Sequence, residues 1–421
     1  MNRPRKIYEL LYQWLMLLIY PLFWIAYGIG QFFLKDLNER FGFYSKNHHE
    51  MKTIWIHAAS VGEVNAIRLF CQHLKKKNSS FEIILTTTTN SGKAFAQKLK
   101  IADHVFLAPL DFEQCLKRSF GALNPSMILI VETEFWPNWL MYAREKSIPV
   151  ILINGRISEK KFKSYYRFRF LFESLLNSFE KCLVQTSEDQ NRLSHLGVIS
   201  SNIYVVGQMK YDLEFRESEL ENQFKLEMGI QSSDHLITLG SIREEEIELI
   251  VPILPTMLDI SSNIRIVLAP RHLSCLDELI LRLKKMDLKF HLRTGNVNRE
   301  NWRILILNTL GELSKIYACS CVCFVGGTLV PIGGHNLMEP ALVEKPVCFG
   351  PFISNFKEAA DILQKYGGGF QIQTIGELPQ VISQILKSDF AQIGKQAKNA
   401  IQSLSGATEK TLKIIEDSLF V

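Results

Sequence analysis

Four glycines stand between an apolar run and the start of a helical pattern in the stretch 324–342. They are Gly326, Gly327, Gly333 and Gly334. A strand, a glycine-rich loop and a helix in this order let the backbone approach a ligand closely and direct helix N–H groups at an anion. The sequence therefore predicts a site for a nucleotide phosphate in this stretch.

Two glutamates follow predicted strands in the first half of the chain. Glu63 ends a turn of small residues, 58–63, after the strand predicted at 53–57, and Glu132 follows the apolar run 126–131. A carboxylate in such a position can act as a general base. The dipole of a helix N-terminus lowers the pKa of Glu63 and weakens the base, whereas a second carboxylate or burial under substrate would raise that pKa. For an isolated glutamate, a favourable contact with the helix dipole is the simpler explanation.

Other charged residues near predicted strand ends suit an anionic ligand. Arg271 follows the strand predicted at 265–269, and its planar fork matches a phosphate. Lys210, at the connection between the two halves, could reach a phosphate or a sugar carboxylate, or it could be an ordinary exposed lysine. Glu339 stands three residues after Asn336, which is the spacing of a capping box. Its functional alternative is to accept hydrogen bonds from a ribose diol.

These residues belong to two series of strands that alternate with helices. The first series has predicted strands at 53–57, 82–89, 104–107, 126–131, 150–154 and 181–185 and from 204. The second has them at 235–241, 265–269, 289–293, 303–307, 319–325 and 346–350. Such alternation predicts parallel α/β sheets with right-handed crossovers, in which ligands bind beyond the carboxyl ends of the strands. The tail, 391–421, is predicted to be one more helix that packs back on the first domain.

Composition narrows the class of protein. A chain of 421 residues favours two to three domains, and a net charge of +5 gives no reason to expect a nucleic-acid partner. Eight cysteines without CxxC spacing are typical of reduced thiols. Three of them, Cys319, Cys321 and Cys323, alternate, so we expect them on one face of a strand as core residues and not as metal ligands.

The N-terminal region predicts contact with a membrane. Residues 10–34 carry no charge over 25 positions, and basic residues precede them. That length can span a bilayer of ~30 Å with the N-terminus in the cytoplasm. Pro21 also allows an interfacial anchor, and a buried helical hairpin is a third possibility. Because a span would place the reduced cysteines outside, we favour an anchor on the cytoplasmic face. The basic and aromatic run 156–169 is either a solvated helix or a docking face for anionic head groups.

Six short motifs stand in order along nearly the whole chain. They are Ala-Ser-Val-Gly-Glu (59–63), Glu-Thr-Glu-Phe-Trp-Pro (132–137), Asn-Gly-Arg (154–156), Pro-Arg-His (270–272), Leu-Gly-Glu-Leu (310–313) and Gly-Gly-His-Asn-Leu-Met-Glu-Pro (333–340). As a set they resemble the 3-deoxy-D-manno-octulosonic acid (Kdo) transferases of lipopolysaccharide assembly. One departure is Ser-Ile-Arg-Glu-Glu at 241–245, where relatives often read Ser-Thr-His-Glu, so any donor contact there is in doubt.

The resemblance implies a GT-B glycosyltransferase fold, with two Rossmann-like domains facing a central cleft and an N-terminal hydrophobic membrane anchor. The implied division is 1–35 for the anchor, 36–210 for the acceptor domain, 211–390 for the CMP-sugar domain and 391–421 for the C-terminal helix. The implied reaction moves Kdo from CMP-Kdo to the lipid A precursor lipid IVA, with inversion and without a metal or another cofactor. It would take place on the cytoplasmic face of the inner membrane.

By position, the base of that family falls on Glu63, and its transition-state-stabilising residues fall on Glu132 and Lys210. Its CMP contacts fall on Pro270, Arg271, Gly311, Glu312, Leu313, Asn336, Leu337, Met338 and Glu339. Two alternatives stay open: a GT-B enzyme that transfers from a UDP-sugar to a lipid, and a membrane-anchored nucleotide-binding or scaffolding protein without activity. No motif indicates how many Kdo residues are transferred.

Overall fold

The computed structural model describes residues 7–30, 36–45, 51–77, 80–212, 224–295 and 302–419. The chain divides into two compact units. The first comprises Met1–Leu213 and Ser405–Val421, and the second comprises Glu214–Leu404. Each unit has its own seven-stranded sheet. All strand pairings in both sheets are parallel, so the two predicted α/β series are confirmed.

The sheet of the first unit has the strand order β3-β2-β1-β4-β5-β6-β7. Its strands are β1 (Lys52–His57), β2 (Phe81–Thr87), β3 (His104–Leu107), β4 (Pro125–Val131), β5 (Val150–Gly155), β6 (Lys181–Val184) and β7 (Ile203–Val205). The central strands are apolar on both faces because helices cover both sides of a parallel sheet. In β1, for example, Trp55 packs into one core layer while Ile54 and Ile56 pack into the other.

The helices of the first unit, numbered along the chain, surround this sheet. They are α1 (Ile7–Gly30), α2 (Leu37–Arg40), α3 (Val61–Ala66), α4 (Arg68–Lys77), α5 (Asn90–Leu99), α6 (Glu113–Leu123), α7 (Pro137–Glu145), α8 (Glu159–Arg167), α9 (Arg169–Leu176), α10 (Ser187–His195) and, after the second unit, α19 (Ala407–Leu419). Leu412 and Ile415 of α19 lie in the core of this unit. The carboxylate of Asp212 accepts the N–H groups of Gly406 and Thr408, each at 2.6 Å, and so fixes the start of α19.

The sheet of the second unit has the strand order β10-β11-β9-β8-β12-β13-β14. Its strands are β8 (His235–Ile242), β9 (Ile264–Pro270), β10 (His291–Leu292), β11 (Ile304–Ile306), β12 (Val322–Val325), β13 (Val347–Phe349) and β14 (Gly369–Gln371). Its helices are α11 (Glu244–Ile250), α12 (Leu254–Leu258), α13 (Leu276–Lys285), α14 (Leu313–Cys319), α15 (Met338–Leu342), α16 (Lys357–Lys365), α17 (Leu378–Lys387) and α18 (Phe390–Gln402). Because β8 lies between β9 and β12, the carboxyl ends of these three strands lie side by side.

Two local predictions were wrong. The tail is not one helix: α18 belongs to the second unit and α19 to the first, and the chain turns between them at Gly406, whose φ of 103° ordinary residues rarely adopt. Cys319, Cys321 and Cys323 do not share a strand: Cys319 ends α14, Cys321 precedes β12, which begins at Val322, and Cys323 lies on β12. All eight cysteines are free, and only Cys321 is not fully buried.

The N-terminal helix α1 has one face against the first unit and another face exposed. The Tyr12 hydroxyl donates to Asp111 at 3.1 Å, and Arg118 donates to the Tyr20 hydroxyl at 2.9 Å. On the other face Trp14, Leu18 and Leu22 are exposed by 64%, 72% and 64%. Within the part of the chain that the structure describes, no helix combines the length and the apolar character needed to cross a bilayer. The predicted interfacial anchor stays a prediction.

Candidate functional site

The turn after β1 holds the carboxylate of Glu63 at the carboxyl end of the first sheet. Ser60 is the N-cap of α3, and its Oγ accepts the N–H of Glu63 at 3.3 Å. The carboxylate folds back, with Oε2 accepting the Ala59 N–H at 2.7 Å and Oε1 accepting the Ser60 hydroxyl at 3.2 Å. This reciprocal capping fixes the position of the side chain that the sequence proposed as a base.

The environment of Glu63 raises its pKa to about 7. Burial is the largest cause, and the negative charges of Glu132 and Glu134 add to it. The Ala59 N–H and the Ser60 hydroxyl lower the pKa but do not outweigh burial. Burial and the neighbouring carboxylates thus outweigh the hydrogen bonds at the helix N-terminus. The resulting raised pKa of Glu63 suits a base near neutral pH.

Glu132 directly follows β4 and lies in the left-handed region, with φ of 59°, and its backbone N–H donates to the Ile153 carbonyl at 3.1 Å. Burial raises its pKa, whereas the positive charges of Arg156, Lys161 and Lys210 lower it. Glu132 thus interacts electrostatically with three cations and with the carboxylate of Glu63. Sequence reasoning assigned only one of these cations to the catalytic set.

Lys210 lies in a single 3₁₀ turn, Met209–Tyr211, and its Nζ is 4.9 Å from the centre of the Tyr211 ring. Asn154 positions this turn, because its Oδ1 accepts the Met209 N–H at 3.2 Å. Asn154 is itself in the left-handed region, with φ of 50°. The structure therefore brings together the three predicted residues of the first unit and adds Asn154 as the residue that holds Lys210 in place.

In the second unit, the turn after β12 requires glycine at two successive positions. A Cβ on Gly326 would lie 2.5 Å from the Ser241 carbonyl oxygen and 2.8 Å from Glu246 Oε2. Gly327 has φ of 70°, and a Cβ there would lie 2.6 Å from Cδ2 of His335. The predicted glycine turn is therefore packed tightly against β8, α11 and its own returning segment.

Glu246 of α11 holds this turn together. Its carboxylate is buried and accepts three backbone N–H groups: Gly327 at 2.6 Å, Arg243 at 2.9 Å and Leu329 at 3.0 Å. Burial raises its pKa, and these backbone N–H groups lower it. Sequence reasoning missed Glu246. The only local signal was an acid three residues after Arg243, the spacing of a helix start.

Positive charge gathers beside the turn. Arg271 stands where β9 ends, and its N–H donates to the Ile242 carbonyl of β8 at 2.7 Å. Nη1 of Arg243 lies 3.2 Å from Nε2 of His272. Burial, together with the positive charges of Arg271 and Arg243, lowers the pKa of His335 to about 4. The predicted anion site thus has a second arginine and two histidines near it.

The helix after the turn begins later than predicted. α15 starts at Met338 and has five residues, with Leu337 and not Asn336 as its N-cap. Oδ1 of Asn336 accepts the Met338 N–H at 3.1 Å, and its Nδ2 donates to Glu339 at 3.2 Å. Burial raises the pKa of Glu339, which the Asn336 amide and the Arg271 charge lower. Because the side chains of Leu337 and Met338 are buried, these two residues can meet a ligand only through their backbone.

The predicted contacts at 311–313 are divided between surface and core. Gly311 is exposed and has φ of 84°. The Glu312 carboxylate accepts Nη2 of Arg293 at 3.0 Å and the Thr309 hydroxyl, so it is already occupied. Leu313 packs against the core that contains Trp302. The exposed backbone at Gly311 is thus the part of this motif that a base could contact, together with the end of β9 at Pro270.

Comparisons with known proteins identify the class. A family model described as 3-deoxy-D-manno-octulosonic-acid transferase (kdotransferase) matches residues 35–213. The 3-deoxy-D-manno-octulosonic acid transferase of Haemophilus influenzae is 27% identical over 97% of this chain and 98% of its own. The 3-deoxy-D-manno-octulosonic acid transferase of Chlamydia trachomatis serovar A is 27% identical over 87% of this chain and 86% of its own. These matches support a Kdo transferase, which confirms the resemblance.

A longer relative and two solved structures add context. The bifunctional glycosyltransferase/methyltransferase of Fusobacterium nucleatum is 30% identical over 79% of this chain, which spans only 52% of that protein. A glycosyltransferase from Rickettsia africae shares 14% identity over 88% of this chain and 99% of its own, with a TM-score of 0.57. The UDP-GlcNAc 2-epimerase of Neisseria meningitidis shares 12% sequence identity over 87% of this chain and 100% of its own, with a TM-score of 0.60. At these identities the two structures show the fold alone: two α/β units like those of the predicted class.

Glu246→Ala should destabilise the glycine turn selectively, because it removes one acceptor from three buried N–H groups. Each hydrogen bond to a charged group contributes about 1.5–3 kcal/mol, so we expect the free energy of unfolding of the second unit to fall by several kcal/mol. Hydrogen exchange should show faster exchange at Gly327 and Leu329. Glu245→Ala is the control, since that side chain is 59% exposed. Unchanged exchange at both amides in Glu246→Ala would contradict the assigned role.

Proposed function

We propose that this relative of the Kdo transferases transfers Kdo from CMP-Kdo to lipid IVA, with inversion, without a metal and with Glu63 as the base. Its similarity to Kdo transferases supports a glycosyltransferase of lipopolysaccharide biosynthesis. The observation that supports the finer proposal is the Glu63 carboxylate, held in place by Ala59 and Ser60 and with a pKa of about 7. Such a group is largely ionised just above neutral pH and can accept a proton.

The proposed reaction is one direct displacement. Glu63 takes the proton from an acceptor hydroxyl while that oxygen forms a bond to the anomeric carbon of Kdo. The bond from this carbon to the phosphate oxygen breaks, and CMP leaves with the electron pair. Attack from the side opposite the leaving group inverts the anomeric carbon. Glu132 and Lys210 supply fixed charges of opposite sign beside Glu63, which suits the stabilisation of charge that changes along the reaction.

We assign donor binding to the second unit. The guanidinium of Arg271 matches the phosphate of CMP, and Glu339, which is partly buried and interacts with the Arg271 charge, can accept hydrogen bonds from the ribose. The exposed backbone at Gly311 can contact the base. These assignments, with Pro270, Glu312, Leu313, Asn336, Leu337 and Met338, follow the family motif residue by residue and remain proposals.

A lipid acceptor would require the enzyme to lie at a membrane surface. The exposed face of α1 carries Trp14, Leu18 and Leu22. Elsewhere in the first unit, at α8 and the start of α9, Tyr166, Phe168 and Phe170 are exposed among basic side chains. Apolar and aromatic groups mixed with lysine and arginine suit the interface of an anionic leaflet. We therefore propose that the enzyme lies on the cytoplasmic face of the inner membrane.

The proposed reaction should be visible as a product. Incubation of the full chain with lipid IVA and CMP-Kdo should yield lipid IVA that carries one or more Kdo residues, detected by mass spectrometry. Glu63→Gln is the matched control and should retain CMP binding while it forms the product at least about 10²-fold more slowly. No product with CMP-Kdo, but transfer from a UDP-sugar to a lipid acceptor, would establish the runner-up function instead.

The pH profile tests the role of Glu63. Because the ionised carboxylate is the active form, kcat/KM should fall as the pH drops below about 7 and level off above it. Glu134→Gln removes a negative neighbour that raises the Glu63 pKa, so this acid limb should move to lower pH. Glu63→Gln should lower kcat by about 10²- to 10⁴-fold.

Glu180→Gln serves as a control for the profile, because that side chain is exposed in the same unit. Its acid limb should coincide with that of the wild type. The base assignment fails if Glu63→Gln turns over normally, or if its residual rate keeps the same acid limb.

Sedimentation with vesicles tests the membrane proposal. The triple variant Trp14→Ala, Leu18→Ala, Leu22→Ala should bind vesicles of phosphatidylethanolamine and phosphatidylglycerol at least about 10-fold more weakly, because three apolar side chains no longer enter the interface. A triple variant at exposed apolar residues of the second unit, Leu249→Ala, Leu281→Ala, Met286→Ala, should bind like the wild type. Equal binding by both variants would rule out α1 as the anchoring surface.

A further inference from the structure

Residues from three neighbouring strands meet at the glycine turn of the second unit. β8 leads into Arg243, β9 leads into Arg271 and His272, and β12 leads into the turn that returns at His335. Since β8 is hydrogen-bonded to both of the other strands, these side chains belong to one region of the carboxyl edge. The family motif assigns Arg271 to the donor, whereas the stretch 241–245, which holds Arg243, departs from that motif.

Arg243 is fixed at its backbone and at its side chain. Its N–H donates to Oε2 of Glu246 at 2.9 Å, the same oxygen that accepts the N–H of Gly327. Its Nη1 donates to Nε2 of His272 at 3.2 Å. The residue is thus joined to the glycine turn through one carboxylate and to the end of β9 through one imidazole.

The acids near this cluster have other partners or lie far from the Arg243 guanidinium. Glu246 is occupied by backbone N–H groups, and Glu339 accepts the Asn336 amide while interacting with Arg271. Glu245 is 59% exposed, and its Oε2 lies 3.9 Å from Nε of Arg243, at the outer limit of an ion pair. An exposed pair of that length contributes little.

His335 responds to the same two guanidinium groups. Burial is the main cause that lowers its pKa, and together with the charges of Arg271 and Arg243 it brings that pKa to about 4. In the described part of the chain its Nε2 atom is buried and has no hydrogen-bond partner. A neutral imidazole beside two guanidinium groups adds no repulsion, and the region suits an incoming anion.

We propose that Arg243 is a second phosphate-binding residue for the donor, and that it acts together with Arg271. The proposal rests on the function proposed above, because it takes the nucleotide phosphate of the donor as the anion. Two guanidinium groups can each give paired N–H donors to phosphate oxygens, which a single arginine or a lysine cannot reproduce. His272 is a positioning residue in this scheme, since it holds Nη1 of Arg243.

Calorimetric titration of the full chain with CMP, UMP and cytidine tests the proposal. Arg243→Gln should weaken CMP binding by about 10- to 100-fold, the equivalent of one lost hydrogen-bonded charge, and should leave cytidine binding unchanged. Arg243→Lys should fall between Arg243→Gln and the wild type. Arg282→Gln is the control, because that arginine pairs with Glu278 and Glu248 and should bind all three ligands like the wild type.

His272→Phe separates positioning from folding. It removes the acceptor for Arg243, so it should lower the CMP-to-cytidine affinity ratio less than Arg243→Gln does. Adding His272→Phe to Arg243→Gln should reduce the CMP affinity by a smaller factor than His272→Phe does in the wild type. The reason is that the two changes remove one shared interaction. Circular dichroism should show each variant folded at the titration temperature.

The possible outcomes are distinguishable. Wild-type affinity of Arg243→Gln for CMP, or an equal loss for CMP and cytidine, would overturn the inference while leaving the CMP-Kdo donor intact. If the wild type prefers UMP to CMP and Arg243→Gln weakens UMP, the phosphate contact stands and the proposed donor fails. Preference for CMP with a loss confined to the phosphorylated ligand supports both.

Discussion

The number of donors that surround a buried carboxylate separates a structural acid from a reactive one in this chain. Glu246 accepts three backbone N–H groups, and these hold the glycine turn in a conformation that leaves no room for a Cβ. Glu63 accepts one backbone N–H and one hydroxyl, and two other carboxylates act on it. The candidate site of the second unit therefore depends on a saturated acid, and that of the first unit depends on an acid that can still take a proton.

Left-handed backbone recurs where strands end at these sites. Glu132 follows β4 with φ of 59°. Asn154 is the next-to-last residue of β5 with φ of 50°, and Ser241 is the next-to-last residue of β8 with φ of 55°. For residues other than glycine such conformations cost on the order of 1 kcal/mol or more, and they are found where the surrounding contacts fix them. Here the Glu132 N–H pairs with Ile153, and Asn154 uses its side chain to hold the turn with Lys210. The cost is offset by contacts that also position the charged groups.

Much of the fold could be predicted from the sequence because local pattern carries it. Apolar runs separated by helical periodicity predicted both parallel sheets. Motifs near strand ends indicated Glu63, Glu132, Lys210 and Arg271 as candidates, and their roles stay predictions. Contacts between distant segments could not be predicted: Glu246 acts on residues more than 80 positions away, and the cluster around His335 joins three strands. Predicted element boundaries were wrong where a side chain offered the backbone another hydrogen bond. The Asn336 side chain accepts the Met338 N–H, so α15 begins later than predicted.

The departure of this chain from the family pattern at 241–245 can be understood from the same hydrogen bonds. Glu246 holds position 243 through the backbone N–H, so the turn does not depend on which side chain stands there. The side chain at position 243 can therefore change in charge while the glycine turn keeps its hydrogen bonds. Arginine at this position places a permanent charge in the same region as Arg271, whereas a histidine there would be charged only in part near neutral pH. A single position can thus change the strength of an anion site while the scaffold around it stays the same.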